Sequence, residues 1–216
     1  LVVTQDRAAL FVDGRYTLQA LNQCPEPLFE HHHLISDPVL AWLKETLKPG
    51  QSVALDGRVV TYRFFKNAET ELRLREINLR ALTQNPIDDL WADRPVAQVS
   101  KALLLDEQYS GESSNSKRAR VAETIKSQGA DAAIISQLDS IAWLLNIRGD
   151  DVPHLPVLLS QSILLSDASQ HLFIDTSKIP EGFANHVGDQ VFVHAAEDFA
   201  GFLKTYGEAQ PKILLD

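Results

Sequence analysis

The sequence predicts an α/β protein of two consecutive domains, each an open β-sheet with helices packed on its faces. Short β-rich runs alternate with helical patterns along the whole chain. A stretch with the composition of a linker, residues 83–98, carries Pro86, Pro95 and the acidic pair Asp88-Asp89 between two such series. The length of 216 residues also suits two domains of about 100 residues each. We place the boundary at about residue 97, which gives domains 1–97 and 98–216.

The first series begins with a hairpin, because two apolar runs flank the polar turn Gln5-Asp6-Arg7. Asp37-Pro38 predicts the start of a helix, with Asp37 as N-cap and the proline in the first helical position. Residues 52–55 are apolar enough to predict a buried strand. In full, we expect strands at 1–4, 9–12, 52–55 and 77–81, and helices at 15–22, from 38 to about 49, and at 61–76.

The second series begins with a helix that Gly129 ends, because a glycine after the last turn tolerates a positive φ. We expect helices at 114–128, 140–147 and 197–206, and strands at 130–136, 157–165, 170–174, 190–194 and 213–215. The first residues of the chain already have the composition of a strand, with no preceding loop, and the last residues form a second strand-like segment. We therefore expect both ends to lie inside folded units.

The charge of the chain argues against two classes of partner. Twenty basic and 29 acidic residues give a net charge of −9, which repels nucleic acid and anionic membranes. The densest basic group, Lys117-Arg118-Ala119-Arg120, is interpreted as a solvated helix face. The single cysteine, Cys24, cannot form an intrachain disulfide, which fits a reducing compartment. No apolar run approaches the roughly 20 residues of a membrane span.

The best-known catalytic and metal motifs are missing from the sequence. It has no glycine-rich dinucleotide or phosphate loop, no His-Glu-x-x-His, no paired cysteines and no Gly-x-Ser-x-Gly elbow. The interpretations as a zinc site or a nucleotide site therefore lose their best support, and the sequence shows no complete active site of its own.

The run His31-His32-His33 is the most conspicuous group of possible metal ligands. In a strand, neighbouring side chains point to opposite faces, so at most His31 and His33 could meet one ion. No carboxylate stands at a regular offset to complete a site. We interpret the run as exposed histidines at a strand end or turn.

Asp13-Gly14-Arg15-Tyr16 follows a predicted strand, at the kind of sheet edge where α/β proteins bind ligands. The guanidinium of Arg15 could hold a carboxylate or a carbonyl with its fork of donors. The other interpretation is a local turn in which Asp13 and Arg15 form an ion pair.

A third cluster, Arg148-Gly149-Asp150-Asp151-Val152-Pro153-His154, follows an apolar helix and is called here the 148–154 loop. An arginine, two carboxylates and a histidine resemble an acid/base or metal set. Adjacent aspartates diverge in most backbone conformations, however. We expect instead a loop stabilised by an internal pair between the arginine and an aspartate.

Three stretches together resemble the cytosolic-type Xaa-Pro aminopeptidases of the creatinase/prolidase superfamily. They are residues 8–16, which include Asp13-Gly14-Arg15-Tyr16; Leu90-Trp91-Ala92-Asp93-Arg94-Pro95; and residues 138–152, which include Asn146-Ile147-Arg148-Gly149-Asp150. They occur in the family's order and at about its spacing across nearly the whole chain.

The resemblance implies two creatinase-like N-terminal domains, each a mixed sheet flanked by helices, and covers residues 1–97 and 98–216. The catalytic pita-bread domain of such enzymes has no counterpart here. There, two divalent metals, usually manganese, activate a water that attacks the bond before proline. The resemblance thus implies that the chain is the non-catalytic front of a larger enzyme, holds no catalytic residue, no metal ligand and no cofactor, and is inactive alone. Its expected partners are its own catalytic domain in cis, a peptide with proline at the second position, and further copies of itself. The expected location is the cytoplasm.

One site residue carries over, because the arginine of the Asp-Gly-Arg-Tyr motif binds the peptide substrate in similar enzymes. Here it is Arg15. By the same resemblance the 148–154 loop faces the catalytic domain or a neighbouring subunit, while the histidine run has no counterpart. Two alternatives stay open: a protein-binding module of a homologue that has lost its metal ligands, and an independent α/β enzyme that uses the 148–154 loop.

Overall fold

The computed structural model describes residues 1–95 and 99–216, which separate into two compact units, Leu1–Pro95 and Val96–Asp216. Each unit contains both parallel and antiparallel strand pairs together with helices. The predicted α/β class with mixed sheets is therefore confirmed. The predicted boundary at residue 97 lies outside the described residues, so the exact domain limits stay a prediction.

The first unit has a three-stranded sheet of order β1-β2-β3 and a separate parallel pair of β4 and β5. The predicted hairpin is confirmed by the antiparallel pairing of β1 with β2. Its elements are β1 (Val2–Val3), β2 (Ala8–Val12), α1 (Thr17–Gln23), β3 (Glu30–His33), α2 (Val39–Thr46), β4 (Ser52–Asp56), α3 (Tyr62–Arg73), β5 (Asn78–Leu82) and α4 (Pro86–Leu90). Its largest buried cluster consists of Ala9, Trp42, Leu43, Leu72 and Ile77.

Two local predictions in this unit were wrong. Asp37 does not cap α2: Pro38 occupies the N-cap position without a side-chain bond, and the carboxylate of Asp37 contacts His32 instead. Strand β4 is not buried throughout, because its residues alternate between exposed and more covered positions up to the buried Asp56. By contrast, α3 begins as an ordinary capped helix, in which Phe64 N donates to Thr61 Oγ1 at 3.1 Å.

The second unit has a five-stranded sheet of order β11-β10-β9-β7-β12 and a short antiparallel pair of β6 and β8. Its elements are β6 (Leu103–Leu104), α5 (Glu107–Ser110), α6 (Ser114–Ser127), β7 (Ala132–Ile135), α7 (Leu138–Leu145), β8 (Ile147–Arg148), β9 (Ser160–Leu165), β10 (Gln170–Ile174), α8 (Phe183–Val187), β11 (Val191–His194), α9 (Phe199–Gly207) and β12 (Ile213–Leu215). Helix α7 ends two residues earlier than predicted, because Asn146 adopts a left-handed φ of 53° and the next residues pair with β6.

Helices cover both faces of this sheet, as the alternation of side chains along β10 shows. Leu172 and Ile174 pack with residues of α7 and α8, whereas Phe173 packs against Phe199 and Phe202 of α9. Leu172, Phe173 and Ile174 are all completely buried. Two apolar layers, one on each side of the sheet, therefore hold the second unit together.

The prediction that the basic group on α6 is a solvated face was wrong for two of its three charges. Lys117 and Arg118 are 2% and 0% exposed. Lys117 Nζ donates to the carbonyl of Trp143 at 3.0 Å, and Arg118 Nη2 donates to that of Val187 at 2.7 Å. These carbonyls lie in the last turns of α7 and α8, where the helix dipole is negative. Neutral oxygens thus take the place of carboxylate partners for two buried cations: the helix-end carbonyls together with Asn146 Oδ1 and the carbonyl of Ala168.

Candidate functional site

Arg15 and Asp13 form a closed turn directly after β2. Arg15 Nη2 donates to Asp13 Oδ2 at 2.7 Å, Nε donates to Oδ1 at 3.1 Å, and the backbone N–H of Arg15 donates to the same Oδ1 at 2.9 Å. These hydrogen bonds from Arg15 lower the pKa of Asp13 to about 2. The ion pair that the sequence allowed is therefore present, while the arginine side chain is 81% exposed and accessible to a ligand.

The same turn occurs a second time in the first unit, after β4. Asp56-Gly57-Arg58 repeats the Asp-Gly-Arg tripeptide, and Arg58 Nη2 donates to Asp56 Oδ2 at 2.9 Å. The hydrogen bonds from Arg58 lower the pKa of Asp56 to about 2 as well. The repeated tripeptide is visible in the sequence and was missed there. It shows that the turn geometry alone does not distinguish Arg15 as a binding residue.

The three histidines lie at the end of β3, as predicted, but two of them are not exposed. His31 Nε2 lies 2.7 Å from the carbonyl of Cys24. His32 is partly buried, with its ring stacked on Phe11 and its two nitrogens facing the carboxylates of Asp37 and Glu30. The rings of His31 and His32 thus have different partners, and both make structural contacts. Within residues 1–95 and 99–216, no group of three or more possible ligands could hold a metal ion.

The 148–154 loop is held by an ion pair other than the predicted one. Asp151 Oδ2 lies 2.6 Å from Lys178 Nζ, and their side chains are 3% and 9% exposed. Arg148 Nη1 donates instead to the carbonyls of Ala142 and Ile147, at 3.1 Å and 2.8 Å. The predicted arginine–aspartate pair was wrong, because Lys178 arrives from a distant segment and takes the aspartate. No pattern in the sequence links these two positions.

The path of this loop depends on Gly149 and on an unusual backbone angle. A Cβ atom at Gly149 would lie 2.2 Å from Leu158 Cδ2, so no larger residue fits there without displacement. His154 adopts a φ of 65°, which is uncommon for a residue with a side chain. The loop lines an open concavity of about 460 Å³, to which Arg148, Asp150 and His154 all contribute. Asp150 is exposed and Asp151 is covered, so the two aspartates diverge as expected.

Comparison with known proteins assigns both units. Residues 1–85 and residues 93–216 each match a family model described as the Creatinase/Prolidase N-terminal domain. The chain is 36% identical over 188 residues to the Xaa-Pro aminopeptidase ApepP of Drosophila melanogaster, which covers 86% of the chain and 30% of that protein. It is 32% identical over 191 residues to the Xaa-Pro aminopeptidase app-1 of Caenorhabditis elegans, and this match also covers 86% of the chain and 30% of that protein.

A solved structure extends this likeness to the fold. The X-prolyl aminopeptidase of Caenorhabditis elegans, described as a cytosolic enzyme with a di-nuclear active site, superposes with a TM-score of 0.88 at 28% identity. The match covers 96% of this chain and 34% of that one. The chain thus spans about a third of the length of the relatives it matches. Among the described residues, no helix is long and apolar enough to cross a membrane. Since family models match nearly all of both units, the chain belongs to the creatinase/prolidase N-terminal domain family.

Proposed function

We propose that the chain is the non-catalytic front part of a metal-dependent aminopeptidase that removes the residue before proline. The observation that carries this proposal is the match to Xaa-Pro aminopeptidases over most of the chain but only about a third of their length. In this proposal residues 1–97 and 98–216 are two domains that shape access to a catalytic domain in the same polypeptide and contribute contacts between copies.

The metals of such an enzyme belong outside this chain. The di-nuclear centre of the Caenorhabditis elegans relative supports two metal ions in the complete protein, for which we propose manganese, and its cytosolic description supports a cytoplasmic location. The residues described here do not fit such a centre, because they bring no three suitable ligands together. We therefore assign no chemical step to this chain.

Arg15 is the one residue for which we propose contact with the peptide. Its side chain is exposed, and its Nη1 has no hydrogen-bond partner among the described residues while Nε and Nη2 hold Asp13. That leaves Nη1 available as a donor, suited to a carbonyl or carboxylate of a substrate. The paired Asp13 restrains the guanidinium and so lowers the entropic cost of using it.

The test is to compare the 216-residue chain with the complete polypeptide. Each is incubated with an Xaa-Pro peptide, with and without manganese, and release of the N-terminal amino acid is measured. We expect turnover only from the complete polypeptide with metal. Release by the chain alone contradicts the proposal. A complete polypeptide that folds but shows no metal-dependent release favours the alternative of a protein-binding, catalytically inactive homologue.

A further inference from the structure

The concavity beside the 148–154 loop has the size of a small-molecule site. Its volume of about 460 Å³ lies within the roughly 300–1,000 Å³ of typical ligand pockets. Leu103, Leu155 and Pro156 give it an apolar wall, and all of its lining residues belong to the second unit. A ligand with a compact apolar body would therefore find a matching surface here.

Arg148 is a cation of this concavity that forms no ion pair with the described residues. Its side chain is partly buried, and no carboxylate in residues 1–95 and 99–216 lies within ion-pair distance of it. Of the two aspartates that follow, Asp151 pairs with Lys178. Asp150 also lines the concavity, but it is exposed and forms no hydrogen bond or ion pair with Arg148. Partial removal of a charge from water is costly when no partner compensates it.

The guanidinium of Arg148 is fixed in a way that leaves one edge open. Nη1 donates to two carbonyls, whereas Nε and Nη2 make no hydrogen bond to the part of the chain that the structure describes. Arg7, Arg15 and Arg58 use this same Nε–Nη2 edge to hold a carboxylate with two hydrogen bonds. Arg148 is thus anchored through one nitrogen, and its carboxylate-binding edge has no partner among residues 1–95 and 99–216.

Two further features support a binding role. Lys101 and His154 line the same concavity, so an anion there meets additional donors. His154 also has a φ of 65°, within a tight turn closed by the bond from Leu155 N to the carbonyl of Val152 at 3.0 Å. Backbone angles of this kind in residues other than glycine concentrate at ligand-binding segments, where the surrounding structure maintains them.

We propose that this concavity binds a carboxylate carried on a small apolar body, the chemistry of the C-terminal residue of a peptide, with Arg148 receiving the carboxylate through Nε and Nη2. Lys101 and His154 add positive charge at the rim, and Leu103 and Leu155 contact the apolar part. The proposal concerns the second unit alone and holds whether or not the complete protein is an aminopeptidase.

The test is a titration of the 216-residue chain followed by the amide NMR signals of Gly149 and His154. N-acetyl-leucine carries the carboxylate and the apolar body, N-acetyl-leucinamide lacks the charge, and inorganic phosphate lacks the apolar body. We expect saturable shifts with N-acetyl-leucine and much weaker ones with the other two. Arg148→Gln should weaken N-acetyl-leucine binding about tenfold or more, as expected for loss of a charge-assisted pair of hydrogen bonds.

Further variants guard against a trivial loss of fold. Lys101→Gln changes an exposed side chain, and His154→Asn keeps a residue that tolerates a positive φ. Each should weaken binding by a smaller factor while leaving the amide spectrum of the five-stranded sheet unchanged. Arg120→Gln, on the exposed face of α6, is the matched control and should bind normally. No binding by the native chain, equal binding of the amide or of phosphate, or normal binding by a folded Arg148→Gln variant would each overturn the proposal.

Discussion

Lys178 Nζ lies 2.6 Å from Asp151 Oδ2 in the second unit, and both side chains are withdrawn from solvent. The backbone N–H of Leu159 donates to the same carboxylate oxygen at 2.7 Å. The pair joins the loop after α7 to a short 3₁₀ turn at Thr176–Lys178. A single carboxylate thus ties together three segments of the chain.

We expect Asp151→Asn to lower the free energy of unfolding by about 3–5 kcal/mol, because Lys178 would be left as a buried charge without its partner. Urea unfolding followed by circular dichroism measures this. Asp150→Asn is the control, since Asp150 is exposed, and it should leave the midpoint nearly unchanged. The double variant Asp151→Leu, Lys178→Met should regain much of the lost stability. If Asp151→Asn were as stable as the native chain, the ion pair between Asp151 and Lys178 would not be needed for stability.

We expect Arg118→Met to destabilise the chain by roughly 2–4 kcal/mol, because the carbonyls of Ala168 and Val187 would lose their donors inside the fold. Arg120→Met, two residues along the same helix, removes a solvent-exposed pair with Glu112 and should change little. Thermal unfolding of both variants separates the two cases. Equal effects would contradict the distinct roles that the structure gives these arginines.

We expect Gly149→Ala to cost about 1–3 kcal/mol or more, because the new methyl group would overlap the side chain of Leu158. Gly201→Ala is the matched control. That glycine lies in α9 with open space around it, so alanine should stabilise the helix by about 0.5–1 kcal/mol. Chemical denaturation of the two variants should therefore show shifts of opposite sign. If Gly149→Ala left the free energy of unfolding unchanged, Leu158 would have to move aside freely.

The pH dependence of the first Asp-Gly-Arg turn follows from the pKa of Asp13. Arg15 holds this pKa at about 2, below the ordinary value of 3.8. Because the folded-state pKa is the lower one, the turn contributes stability above the unfolded pKa and loses it as the pH falls toward 2. In Arg15→Gln, carboxyl NMR should show the pKa of Asp13 rising toward its ordinary value, while that of Asp56 stays low. An unchanged Asp13 titration would show that Arg15 is not the cause.

If Arg15 contacts the peptide, Arg15→Ala in the complete polypeptide should reduce kcat/KM for an Xaa-Pro peptide about tenfold or more, with little change in stability. Arg58→Ala is a close control, because Arg58 forms the same hydrogen bonds in the second Asp-Gly-Arg turn. Because the two arginines have the same local hydrogen bonds, a difference between the two variants in steady-state kinetics would come from where Arg15 lies in the protein. Equal losses, or no loss for Arg15→Ala, would reduce Arg15 to a turn residue.

Many of the longer helices and strands were predictable because their causes are local, whereas the short elements α4, α5, α8, β6 and β8 were not predicted. Helix α3 has its threonine cap and strand β2 its apolar run, and Gly129 adopts the positive φ expected after α6. Errors concentrated where a distant segment supplies the partner. Asp37 is drawn away from the helix start by His32, whose own environment depends on neighbouring elements.

The sequence by itself determined the α/β class, the two-part organisation and the resemblance that family models later confirmed, because periodicity, turn residues and motif order are all properties of neighbouring positions. Only the tertiary structure decided which charges are buried and what compensates them. Lys117 and Arg118 have the composition of a solvated face, yet they are covered because the ends of α7 and α8 meet them. Arg148 has two aspartates close behind it in the chain and forms an ion pair with neither, since electrostatic partners are chosen by distance after folding.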